Sequence, residues 1–273
     1  RGRIRDHFET PELERVLLVL NRDSAIASVS ELRTGLFSEG RLSFDPQEPF
    51  ALGFDTNAIF RVGLGPRGAD SLDYLRAKHD GPVVIPGQVI QEIWNNLLAA
   101  VEPQAKKLRK MFDDLSVEVS GFDQGLGAPG VAVREAIEDL VSSHGDWIDP
   151  SAQTAFNETL DVLETVGTCR YVPRAEFATL AEIRKTTKTP PGFRDAIGYG
   201  DFFIWADFLY GIAGLDPKDF RGVVFVTNDA KSDWSRHGVA HPVLVAEALG
   251  IVNVPFRLLA LSEFQKFAKG FSS

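Results

Sequence analysis

An α/β fold, a parallel sheet with helices on its faces, is what this sequence predicts, and three observations predict it. Two short apolar runs, ALGFDTN (51–57) and VVFVTND (223–229), each end abruptly in a polar tripeptide. Buried parallel strands look like this when their last residues reach the surface. Between residues 51 and 101 strand-like and helix-like segments alternate, which is the rhythm of βαβ units. From about 101 to 190 amphipathic helical spacing takes over, so this stretch reads as a helical insertion.

Residues 1–50 read as a helical extension and connector. TPELERVLLVLNR (10–22) has a cap-like Thr10, Pro11 in its first turn, and apolar spacing through Leu13, Val16, Leu17 and Leu20; it predicts a helix. SVSELRTGLF (28–37) is a second short helix, and SEGRLSFDPQEPF (38–50) is a loop rich in turn formers.

The main domain runs over 51–267. Its first strand displays Asp55, Thr56 and Asn57 at its carboxyl end. GADSLDYLRAKHD (68–80) has helical spacing, and GPVVIPGQVIQEIWNNLLAAV (81–101) gives a strand at Val83–Ile85, a Pro-Gly turn and a helix carrying Glu92. The insertion contains helices at 104–119, 130–148 and 150–172, a loop at 121–130, and a concentration of base in Lys106, Lys107, Arg109 and Lys110. Next come a helix at 202–214 and the strand Val223–Val226, whose β-branched and aromatic residues suit a sheet. HPVLVAEALG (241–250) is a helix, VPFRLLAL (254–261) the last strand, and SEFQKFAKGF (262–271) a helix capped by Ser262. A short tail covers 268–273.

Bulk composition narrows the function. The 273 residues are 44% hydrophobic and 25% charged, enough apolar content for a full core. No apolar run nears the ~18–20 residues that cross a bilayer, and no leader peptide is visible. The expectation is a cytoplasmic protein with no membrane role. A lone cysteine, Cys169, excludes an internal disulfide and reads as a small buried residue in a helix. The net charge of −9 is opposite to that of a protein that wraps nucleic acid by basic surface alone. Acids gathered into one metal site would reconcile that charge with a nucleic-acid partner.

Such a gathering is readable. In an open parallel sheet, ligands bind beyond the carboxyl ends of the strands. Asp55 and Asp229 follow two strands, Glu92 begins the helix after another, and Asp201 stands just ahead of an apolar helix. Mg²⁺ takes one or two carboxylates and keeps several waters. A pair of such ions can activate water and stabilise a leaving oxygen. Taken singly, Asp55 or Asp201 reads more simply as a cap or turn residue, and Glu92 as a solvated helix residue; only together do they suggest a site.

The segments FDTNAIF (54–60), VVIPGQVIQEIWNNL (83–97), KTPPGFRDAIGYGDFFIWADFL (188–209) and VVFVTNDAKSDW (223–234), with the tail HPVLVAEALG and FRLLALSEFQKF, resemble PIN-like domain proteins. The resemblance is to the large bacterial branch with a helical insertion and covers roughly residues 50–267. It implies a three-layer α/β/α sandwich around a parallel sheet. It also implies an Mg²⁺- or Mn²⁺-dependent nuclease, usually acting on RNA. By position, Asp55, Glu92, Asp201 and Asp229 match the four acidic site residues, and Asp195 and Asp233 match further acids of this branch. Two departures stand out: Asn228-Asp229 where the branch often has two acids, and IWNNLL where it often has an arginine near an aromatic residue.

Neighbouring residues suggest supporting roles. Thr227, Asn57 and Asn228 could orient carboxylates or hold the strand ends. Lys231 could neutralise phosphate charge, and Lys188 and Arg194, with Arg184 and Lys185, could guide a phosphate backbone. Trp234 could stack on a base, whereas Trp205, in an apolar helix, reads as core. The expected activity is endonucleolytic, on RNA before DNA, by one or two ions, leaving 5′-phosphate and 3′-hydroxyl ends. One alternative is a structure-selective DNA nuclease of the flap-nuclease type, toward which six acids lean. Another is a non-catalytic PIN-like module in a bacterial antiviral defence or toxin–antitoxin assembly, with a protein partner or antitoxin. Oligomeric state is not legible.

Overall fold

The computed structural model describes residues 10–21, 29–37, 47–65, 67–101, 110–111, 113–115, 117–118, 127–144, 150–228, 231–236 and 238–271. Three expectations fall outside them: Asp229, the bases Lys106, Lys107 and Arg109, and most of the loops at 38–50 and 121–130.

The chain divides into two compact units, residues 1–94 with 159–273, and residues 95–158. The first opens with helices α1 (Pro11–Leu20) and α2 (Val29–Phe37). Thr10 caps α1 by accepting a hydrogen bond from Leu13 N at 3.3 Å. Next come β1 (Phe50–Phe54), α3 (Thr56–Leu64), α4 (Gly68–Ala77), β2 (Val83–Pro86) and the start of α5 (Gly87–Val101). The second unit is helical where described, with α6 at Ala128–His144. After α7 (Pro150–Val166) the first unit continues through β3 (Gly167–Arg170), α8 (Arg174–Thr186), α9 (Gly200–Ala213) and β4 (Gly222–Thr227). A short antiparallel pair, β5 (Ser235–Arg236) and β6 (Val239–Ala240), then leads to α10 (Pro242–Val252), β7 (Phe256–Ala260) and α11 (Leu261–Lys269).

Five strands form one parallel sheet in the order β3-β2-β1-β4-β7. The three central strands β2, β1 and β4 are buried throughout, as parallel strands covered on both faces must be. Alternation along β1 assigns the layers. Phe50 and Phe54 meet Phe267 and Phe264 of α11, while Gly53 faces α9, where a Cβ would come 2.3 Å from Phe208 Cε2. Glycine at 53 therefore lets the helix lie directly on the sheet. On that face Trp205, Phe208, Phe225 and Trp234 pack ring to ring. The result is an α/β/α arrangement with helices on both sides of a parallel sheet.

Several elements differ from the sequence reading. Gly167–Arg170 is an edge strand, not the end of a helix, because Leu163 to Val166 complete α7 and the next residues pair with β2. Cys169 consequently lies exposed on that edge strand. Pro86-Gly87 makes no separate turn, since α5 starts directly at Gly87. The last helix begins at Leu261 with Ala260 as its cap residue; Ala260 N donates to Glu263 Oε2 at 3.2 Å, and Ser262 does not cap it. Asp55 is followed at once by α3, a helix the sequence reading lacks.

Candidate active site

Chain order and strand order together locate a topological switch point. From β1 the sheet grows one way through β2 and β3 and the other way through β4 and β7. The seam between β1 and β4 is thus the topological switch point, where open α/β sheets bind ligands beyond the strand carboxyl ends. Asp55 follows β1 there, and Thr227 and Asn228 follow along β4; Asp55 N donates to Val226 O at 3.0 Å across the seam.

Asp55 is buried and has two tasks. Its Oδ1 caps α3 by accepting from Ala58 N at 2.5 Å. Its Oδ2 accepts from the Thr227 hydroxyl and from Asn228 N. The cap and the site residue are therefore one side chain with its two oxygens divided. The next residue, Thr56, donates its hydroxyl to Glu92 Oε2 at 2.5 Å, and Gln88 Nε2 donates to Glu92 Oε1 at 3.2 Å. Thr56 thus couples the β1 end to the α5 carboxylate. Asn57 points outward on α3 and is exposed.

A second group forms at the start of α9. Asp195 Oδ2 accepts from Asp201 N at 3.2 Å. Lys231 Nζ donates to Asp195 Oδ1 and to Asp201 Oδ2, both at 2.8 Å. Trp234 Nε1 donates to Asp201 Oδ2 at 3.0 Å. Burial, with Asp195 adding to it, pushes the Asp201 carboxyl up to about 7, against the pull of Lys231 and Trp234. Asp233 is fully buried; its Oδ2 accepts from Gly192 N at 3.0 Å, and its Oδ1 accepts no hydrogen bond. Gly192, at φ 89°, brings the groups together: a Cβ there would sit 3.3 Å from Asp201 Cβ and 3.4 Å from Asp195 Oδ2. Gly200 links this group to the first, because a Cβ on it would fall 2.9 Å from Glu92 Oε1.

The structure therefore brings Asp55 and Glu92 together through Thr56, and Asp195, Asp201 and Asp233 through Lys231 and Gly192. Among the described residues no three acidic, histidine or cysteine side chains are gathered into a ready-made metal cage. Lys188 and Arg194 are exposed on the segment that leads to Asp195.

Two expected roles are overturned. Trp234 offers no face to a base, since its ring is buried and stacked on Phe225 at 5.4 Å and 2°. Arg184 does not guide phosphate; it is buried and paired with Glu247 at 2.7 Å, with Leu20 O accepting from it at 3.0 Å. Lys185 instead donates to Gly198 O at 3.0 Å.

The sequence reading missed the residues that hold the site in place. Asp207 is fully buried, and its carboxylate accepts from Gln88 N, Val172 N and the two terminal guanidinium nitrogens of Arg174 at 2.6–2.8 Å. It thereby fixes the first turn of the helix that carries Glu92. Glu247 accepts from Arg184 and from Trp205 Nε1 at 2.7 Å. Both acids sit in otherwise apolar helices, FFIWADFLYG and PVLVAEALG. A lone charge in a helix apolar all round is itself a signal of a buried, paired group.

Residues 132–245 match the family described as PIN like domain. Over that stretch the chain is similar to PIN-like domains. No curated protein and no solved structure matches it. The matched stretch holds Asp195, Asp201, Asp229 and Asp233 and stops short of Asp55 and Glu92. A PIN-like domain suggests a nuclease, and this α/β sandwich is consistent with that family. No described helix is long and apolar enough to cross a membrane.

Proposed function

We propose that this protein is a metal-dependent endonuclease that hydrolyses RNA phosphodiester bonds, leaving 5′-phosphate and 3′-hydroxyl ends. The observation that carries the reading is the placement of Asp55 at the β1/β4 switch point, with Glu92 held to it through Thr56.

The donor set suits Mg²⁺ or Mn²⁺, because it is all oxygen. Such ions need one or two carboxylates rather than a full protein cage. The Asp195–Asp201 pair already draws in a cation, the Lys231 ammonium. The buried, unpartnered Oδ1 of Asp233 leaves further acceptor capacity beside it. Asp55, Glu92, Asp201 and Asp229 would hold one or two ions, with Asp195 and Asp233 as additional ligands. When bound, the ion supplies Lewis acidity and lowers the pKa of water.

The chain's own groups do the rest. Thr227 and Asn228 N fix the Asp55 carboxylate, and Thr56 with Gln88 fixes that of Glu92. Their orientation is set before substrate arrives, which is how preorganised charge lowers a barrier. Water adds to phosphorus, the bond to the 3′-oxygen breaks, and that oxygen leaves with a proton. Lys188 and Arg194, exposed ahead of Asp195, would meet the phosphate backbone.

The test is cleavage of labelled single-stranded RNA, single-stranded DNA and branched DNA, with and without Mn²⁺. RNA cleavage that needs Mn²⁺ and is lost in Asp55→Ala, Asp201→Ala and Asp229→Ala is the expected result. Wild-type rates in any of these variants sink the assignment of that residue. Preference for branched DNA would replace the RNA reading.

A further inference from the structure

Lys231 is the positive charge in the described cluster of acids, and its geometry says more than charge balance. Its Nζ lies 2.8 Å from Asp195 Oδ1 and 2.8 Å from Asp201 Oδ2. Two carboxylates this close repel each other unless a cation stands between them. The lysine backbone is pinned: its carbonyl accepts from Trp234 N at 3.1 Å and Ser235 N at 3.3 Å, and Trp234 is locked on Phe225. The four-carbon stem beyond that point is flexible. The side chain is 36% exposed, against 10% for Asp195 and 16% for Asp201. The lysine side chain is thus the most solvent-accessible member of the trio.

We propose that Lys231 is an internal counter-cation that holds Asp195 and Asp201 together in the metal-free protein, and that a divalent ion entering the site displaces its ammonium from Asp201 toward the substrate phosphate. This rests on the metal-dependent nuclease reading above. The formal charges are consistent with that order of events. Two carboxylates and one ammonium leave a single net negative charge. A divalent ion carries more positive charge than the ammonium, so with metal bound the pair no longer needs Lys231 as its counter-charge. The lysine would therefore help the ligands wait for metal, and then help the metal-loaded site attract substrate rather than bind it unloaded.

Two measurements on the full chain without nucleic acid test this. The first is calorimetric Mn²⁺ titration of wild type, Lys231→Met and Lys231→Arg. Removing the competing charge is expected to tighten Mn²⁺ binding about ten-fold in Lys231→Met, with Lys231→Arg close to wild type. The metal-free Lys231→Met protein should also melt at a lower temperature than wild type and recover with Mn²⁺. The second is reductive methylation of wild type read by mass spectrometry at Lys231. Labelling should rise when Mg²⁺ is added, because the ammonium leaves its two carboxylates. Equal or weaker Mn²⁺ binding in Lys231→Met, or Lys231 labelling that Mg²⁺ leaves unchanged, overturns the proposal while the nuclease reading stands. Absence of any Mn²⁺ binding by wild type overturns both. If Lys231→Met fails to fold, the labelling experiment on wild type decides.

Discussion

Thr227 and Asp55, 172 residues apart in sequence, meet across the seam of the two central strands, where the threonine hydroxyl donates to the aspartate carboxylate. Both are buried, and Asn228 N donates to the same carboxylate oxygen. The contact couples the end of β4 to the end of β1 and fixes the carboxylate of the strand-end acid Asp55. Thr227→Val keeps the shape and removes the donor. It should cost about 1–2 kcal/mol in urea unfolding and weaken Mn²⁺ binding by loosening Asp55. Unchanged stability and metal affinity would show that the contact does neither.

Asp207 holds the first turn of α5 through Gln88 N, the start of α8 through Arg174, and the segment that follows β3 through Val172 N. Asp207→Asn exchanges one acceptor oxygen for a donor facing other donors. A loss of about 3 kcal/mol is expected, in the range for breaking a buried pair. Because Gln88 also bonds Glu92, any cleavage activity should fall by more than stability alone explains. A purely proportional loss would make Asp207 a core residue without a positioning role.

Glu247 and Arg184 are both nearly inaccessible, at 0% and 3% side-chain exposure. Glu247→Gln leaves the guanidinium without its counter-charge and should cost about 3–5 kcal/mol. The double variant Arg184→Met with Glu247→Leu should recover much of that loss, because it removes both buried charges. Chemical denaturation of the singles and the double measures the coupling. Additive losses would contradict a buried ion pair.

His79 gives the fold an acid limit. Burial pushes it down to about 4 from an ordinary 6.5, against the raising effect of Asp80 and the carbonyl of Pro82. It packs edge-on to Phe50 and bonds Tyr74, in a pocket that also exposes Glu48 and Lys78. Between about 6.5 and 4 the unfolded chain takes up a proton at this residue that the folded chain refuses. Its contribution is therefore present above 6.5 and is lost as pH falls toward 4. Unfolding curves at pH 7 and pH 5 should differ less in His79→Phe than in wild type. An equal difference in the two proteins would assign the acid sensitivity elsewhere.

By itself the sequence determined the central sheet-forming runs, several of the helices around them and the acids at their ends. Those signals are local: apolar runs at 51–54 and 223–226, helical spacing through 202–214, and polar residues where each run stops. Period and punctuation read within one segment suffice for them. The third strand was not legible, because GTCR is too short and too polar to announce pairing with β2. Tertiary structure alone decided which side chains share a partner. Arg184 and Lys231 look alike as bases near a site, yet one is buried against Glu247 and the other bridges Asp195 and Asp201. Trp234 has a residue type suited to stacking on bases, but packing against Phe225 commits its ring to the core and its N–H to Asp201. A local pattern can mark a charge as buried, as it does for Asp207 and Glu247, but the partner it meets lies tens to hundreds of positions away and only the tertiary structure names it.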